Sequence, residues 1–176
     1  MYTTTNETSL ETRVGLMLKQ KGLKLAAAES CTGGLIGHLL TNIPGSSDYY
    51  LGSVTAYANE AKQRLLGVKP ATLKQFGAVS RETVLEMASG IRKTMAADFS
   101  IKKIIGVSVS GIAGPEGGTP EKPVGLVWMG LSAPGLDLAR PHQFSGSRLE
   151  VKEQAAESAL QMVLEYLEGN LTHGKK

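Results

Sequence analysis

The 176 residues are 41% hydrophobic and 20% charged, the proportions of one globular domain long enough to bury its own core. A net charge of +3 without a run of five Lys or Arg, and aromatics at only 5%, speak against a nucleic-acid surface. The single cysteine, Cys31, excludes an internal disulfide and a cysteine-built zinc cage, and no apolar run is long enough for a signal peptide or a membrane span, so a cytoplasmic location is expected.

In chain order, residues 1–7 are polar and predicted to fray. From Ser9, the helical spacing of Leu10, Val14, Met17 and Leu18 predicts a helix that Gly22 ends. Leu23 to Ala28 reads as a short buried strand, followed by the tight turn Glu29-Ser30-Cys31-Thr32-Gly33-Gly34 and a helix carrying Leu35, Ile36, Leu39 and Leu40. After the loop Pro44-Gly45-Ser46-Ser47-Asp48, a strand is expected from Tyr49 to Tyr57. Asn59 caps a short helix closed by Gly67, Pro70 to Phe76 forms another, and Ser80 starts a longer one reaching about Ala97. Lys103 to Ser110 is a central strand running into a glycine loop at 111–118. Val124 to Ser132 and Leu136 to Phe144 form a hairpin about Pro134-Gly135, and a C-terminal helix carries Leu149 to Leu167, with 170–176 frayed. Helices alternating with strands, then a late hairpin, predict one α/β domain over 1–176. The expected architecture is a three-layer α/β/α sandwich with a mixed, mostly parallel sheet.

Five segments have the residue types for chemistry; one of them, Gly45-Ser46-Ser47-Asp48, reads first as a turn, with Ser47 able to sit at the start of an element facing the same crevice as Ser30. A serine between a strand and a helix, Ser30, points its hydroxyl into the crevice beyond the sheet, with the N–H groups of Thr32, Gly33 and Gly34 free to hold an oxyanion or phosphate. The competing reading makes Ser30 or Thr32 an ordinary helix cap. Cys31 is a rival nucleophile, because a helix N-terminus favours a thiolate. Lys62 falls in a first helical turn, where a cation is disfavoured; a neutral lysine can take a proton from a serine, although a surface lysine has the same spacing. The glycine loop after Ser110, with Gly111 and Gly114, brings backbone close to a ligand but lacks a Walker lysine and a dinucleotide fingerprint. Arg148, opening the last helix, has the chemistry of a phosphate or carboxylate clamp, and equally that of a solvated arginine. No spacing of His, Cys and carboxylates suggests a metal, and no cofactor is expected.

Together, Ala28-Glu29-Ser30-Cys31-Thr32-Gly33-Gly34, Pro44-Gly45-Ser46-Ser47, Tyr57-Ala58-Asn59-Glu60-Ala61-Lys62, Gly77-Ala78-Val79-Ser80, Ser110-Gly111-Ile112-Ala113-Gly114-Pro115 with Gly117-Gly118, Lys122-Pro123-Val124-Gly125 and Phe144-Ser145-Gly146 with Arg148 resemble the CinA C-terminal domain family along nearly the whole chain. The resemblance implies hydrolysis of nicotinamide mononucleotide to nicotinic acid mononucleotide and ammonia by a metal-free serine–lysine dyad. It places the lysine at Lys62 and leaves Ser30 and Ser47 both open as the serine, with Ser30 favoured and Ser47 as alternative nucleophile or proton shuttle. Tyr57, Asn59 and Arg148 then join Thr32, Gly33, Gly34, Ser110, Gly111 and Gly114 around the substrate. The expected partner is a small nucleotide, with neither nucleic acid nor membrane, and the expected assembly is a homo-oligomer, a dimer foremost. Two other classes remain: a non-catalytic nucleotide- or partner-binding module linked to competence or DNA repair, and a Cys31-dependent amidase.

Overall fold

A computed structural model of the chain describes residues 9–97 and 99–171; the expected fraying of 1–7 and of 172–176 lies outside them. The elements are α1 (Leu10–Lys21), β1 (Lys24–Glu29), α2 (Leu35–Thr41), β2 (Tyr50–Thr55), α3 (Asn59–Leu66), α4 (Pro70–Phe76), α5 (Arg81–Thr94), β3 (Ile104–Gly111), β4 (Leu126–Ala133), β5 (Leu136–Gln143) and α6 (Arg148–Leu167). Single 3-10 turns at Ser46–Asp48 and Ile101–Lys103 precede β2 and β3.

Local chemistry sets several of these boundaries. Ser9 and Ser80 cap α1 and α5 through their hydroxyls, and Ser147 with Glu150 forms a capping box on α6. Gly22, at φ 62°, closes α1 in the left-handed conformation. α3 starts one residue earlier than expected: Ala58 holds the cap position, Asn59 is already helical and its side chain caps nothing. At the other end of the chain, the N–H of Asn170 bonds the Glu165 carbonyl at 2.9 Å and Leu171 packs on the core, so these two residues extend the ordered C-terminus beyond the expected limit.

The strands form one mixed sheet in the order β2-β1-β3-β4-β5. β1 pairs in parallel with β2 and β3, while β4 pairs antiparallel with β3 and β5, so four of the five strands point the same way and the late hairpin is β4–β5. α1, α2 and α6 cover one face over a core that includes Leu18, Leu25, Val107, Met129 and Leu160; α3, α4 and α5 cover the other, over Ala26, Ala28, Met87 and Ile91. This is the α/β/α sandwich. The second face packs closely because its glycines have no side chain: a Cβ on Gly90 of α5 would lie 1.9 Å from the Leu66 carbonyl oxygen of α3, and one on Gly106 of β3 would lie 2.2 Å from that of Ala88 in α5. The three parallel strands deliver their carboxyl ends to one edge, where β1 ends at Glu29, β2 leads to Tyr57 and β3 leads to the glycine loop. Crevices at such edges are where open α/β sheets bind ligands.

Candidate active site

Ser30 follows β1 directly, and its N–H bonds the Val109 carbonyl of β3 at 3.0 Å, which fixes its position at the sheet edge. Its hydroxyl lies 3.1 Å from the amine of Lys62, which comes from the first turns of α3. That amine also donates to the carbonyls of Ala56 (3.0 Å) and Tyr57 (2.9 Å). Lys62 is 1% exposed, and burial pulls its pKa below the usual lysine value. Low dielectric disfavours the ammonium. The geometry suits the neutral form as well: an NH2 group has two hydrogens, both carbonyls can only accept, and the remaining lone pair faces the serine hydroxyl. A neutral amine held in this way is placed to accept a proton from the Ser30 hydroxyl.

Below the turn sits a residue for which the sequence reading assigned no role. Glu29 is fully buried, and its carboxylate accepts from the Thr32 hydroxyl (2.8 Å) and from the N–H groups of Gly34 (3.0 Å), Ile36 (3.1 Å) and Gly37 (3.1 Å). A carboxylate under a helix N-terminus satisfies N–H groups that otherwise lack partners. The sequence signal was a carboxylate at the end of an alanine strand, followed within five residues by two glycines. Gly33 and Gly34 consequently differ from expectation, whereas the Thr32 N–H does not. The Thr32 hydroxyl and the Gly34 N–H belong to Glu29, and the Gly33 N–H bonds the Ser30 carbonyl at 3.1 Å, so these groups are not free to hold an oxyanion. Among the described residues, the turn N–H groups with neither a backbone nor a side-chain acceptor are those of Cys31 and Thr32.

The other expected residues divide. Ser110, 1% exposed, is the penultimate residue of β3 and follows Val109, whose carbonyl accepts from the Ser30 N–H. Gly111 lies in the β3–β4 ladder, where a Cβ would fall 2.5 Å from a Val127 methyl carbon, so its bareness serves packing. Arg148, the first residue of α6, donates to the Gly114 carbonyl at 2.6 Å and to the Tyr57 hydroxyl at 3.0 Å, spanning the crevice above the turn. Tyr57 is 62% exposed, and its carbonyl, not its phenol, bonds Lys62. Asn59 is exposed on the first turn of α3.

Ser47 is not brought to this site. It sits in the 3-10 turn before β2, at the amino ends of the parallel strands, whereas Ser30 sits at their carboxyl ends. Five residues of strand at about 3.3 Å each put roughly 17 Å between the two levels, which excludes a shuttle within one chain. Cys31 lacks the features of the rival nucleophile: it is 5% exposed, and burial outweighs its own backbone N–H and the nearby Lys62, raising its thiol to about 11. A protonated thiol is a poor nucleophile. Among the described residues no three His, Cys, Asp or Glu side chains gather as a metal site, and no helix is long and apolar enough to cross a membrane.

Comparison with known proteins agrees with this architecture. The profile of the CinA C-terminal domain matches residues 7–167. CinA-like proteins of Salinibacter ruber and Kosmotoga olearia are each 48% identical over 157 residues, a match covering 89% of this chain and 37% of theirs. The chain thus spans little more than a third of those relatives. A crystal structure of a competence-damaged protein (CinA) superfamily protein from Klebsiella pneumoniae superposes with a TM-score of 0.84 at 34% identity, over 94% of this chain and 99% of that one. The competence/damage-inducible protein of Agrobacterium tumefaciens gives 0.79 at 39% identity, over 90% and 95%.

Proposed function

The chain belongs to the CinA C-terminal domain family, and from that premise we propose that it is an amidohydrolase converting nicotinamide mononucleotide to nicotinic acid mononucleotide and ammonia. The observation that carries the proposal is the 3.1 Å approach of a buried lysine amine to Ser30. Neutral Lys62 takes the hydroxyl proton as Ser30 Oγ attacks the carboxamide carbon, whose electrophilicity the pyridinium ring raises. The tetrahedral oxyanion is held by the N–H groups of Cys31 and Thr32. Its collapse breaks the C–N bond, and the Lys62 ammonium returns the proton to the departing nitrogen, releasing ammonia. Water, deprotonated by the same amine, then attacks the acyl-enzyme, frees the carboxylate and restores the serine. Arg148 exchanges its neutral partners, the Gly114 carbonyl and the Tyr57 hydroxyl, for the substrate's 5′-phosphate. The reading predicts stoichiometric ammonia and nicotinic acid mononucleotide from the purified chain and nicotinamide mononucleotide. Calorimetric binding of that nucleotide without turnover would instead mark a non-catalytic receptor.

A further inference from the structure

Arg148 is not the only cation aimed at the Ser30 turn. Lys152 lies one helical turn further along α6, on the same side of the helix, and is half-buried. A Cβ placed on Gly33 would lie 3.7 Å from its amine, so this nitrogen stands directly over the turn between Ser30 and α2. Among the described residues neither cation has a carboxylate partner: the ion pairs are Arg13–Glu168, Lys19–Asp48, Lys69–Glu86 and Arg140–Glu165. Glu29, the carboxylate under the same turn, is already engaged by four donors. Two like charges four residues apart on a helix repel each other. Their placement at a crevice, with Arg148 satisfied only by a carbonyl and a phenol, favours an anion between them.

We propose that Lys152 is a specificity residue that, with Arg148, binds the phosphomonoester of the substrate and so selects the nucleotide over the uncharged-tail riboside. This rests on the amidohydrolase reading for the carboxamide end and goes beyond it at the phosphate end. Arg148 supplies the planar fork and Lys152 a point charge, a pairing suited to three phosphate oxygens. Glycine at position 33 suits the left-handed backbone of the turn, at φ 64°, that brings it beneath the amine.

The experiment compares wild type, Lys152→Gln, Lys152→Arg and, as a surface control, Lys74→Gln, on nicotinamide mononucleotide and nicotinamide riboside. Losing one charge-assisted hydrogen bond is expected to lower the ratio of the two kcat/KM values roughly 10- to 100-fold in Lys152→Gln. The loss should fall on KM for the nucleotide, with recovery in Lys152→Arg and no change in Lys74→Gln. An unchanged ratio in Lys152→Gln overturns the proposal. Calorimetric binding of nicotinic acid mononucleotide to the same proteins reads the phosphate contact without turnover. Weaker binding to Lys152→Gln, even from a chain that releases no ammonia, supports the phosphate role while removing the amidase reading. Equal binding to wild type and Lys152→Gln overturns the phosphate role.

Discussion

An amine enclosed by two carbonyls and one hydroxyl can be satisfied as an ammonium with three donors, or as a neutral base with two donors and a lone pair. Burial favours the second by pulling Lys62 below its usual value of 10.5. The unfolded chain holds this proton up to the usual lysine range, while the folded chain gives it up earlier. The stability attached to the group is therefore complete above 10.5 and is lost as the pH falls through the lower folded value. Relative to Lys62→Met, which cannot titrate, the wild type should become less stable as the pH is lowered from 10.5, as urea midpoints at a series of pH values would reveal. A gap between the two proteins that stays constant across that range would mean that Lys62 remains charged in the fold. Cys31 shows the same desolvation acting on an acid, and its thiol is held protonated.

At the scale of elements, the β1–α2 junction places the serine, and Glu29 holds the junction. Its carboxylate ties Thr32 to the first N–H groups of α2, a helix of only 7 residues whose own cap position, Gly34, offers no side chain. Glu29→Ala would leave the N–H groups of Gly34, Ile36 and Gly37 without their acceptor. The expected loss is about 3–5 kcal/mol, with a smaller loss for Glu29→Gln, which keeps one acceptor oxygen. Chemical denaturation of the two variants measures this, and a Glu29→Ala protein as stable as wild type would show that α2 does not depend on the carboxylate. On the opposite face, α5 holds α3 close through Gly90, and α3 in turn carries Lys62 into the crevice. The Ser30–Lys62 distance is thus set by one tight turn and one tight helix contact.

For the whole molecule, much of the architecture could be read from the sequence because its signals are local. The Ile- and Val-rich run of β3, the Pro134-Gly135 turn and the spacing of Ala155, Ala159 and Val163 on α6 each identify an element from neighbouring residues. Lys62 was legible as a candidate base for a similar reason, its position near a helix start. What local spacing does not encode is which end of the sheet a loop occupies. Ser47 therefore remains an alternative to the favoured Ser30 on motif alone but lies at the opposite edge in the fold. The Gly34 amide, free in the motif, is claimed by Glu29 through a backbone path visible only once the turn is built. The central claim is that the sheet brings Ser30 and Lys62, and not Ser47, together as the reacting pair. Its most direct test is the rate of ammonia release from nicotinamide mononucleotide by wild type, Ser30→Ala, Lys62→Ala and Ser47→Ala. The account predicts losses on the order of a thousandfold or more for the first two variants and a near wild-type rate for Ser47→Ala. A Lys62→Ala protein with undiminished rate, or a Ser47→Ala protein as impaired as Ser30→Ala, would contradict it.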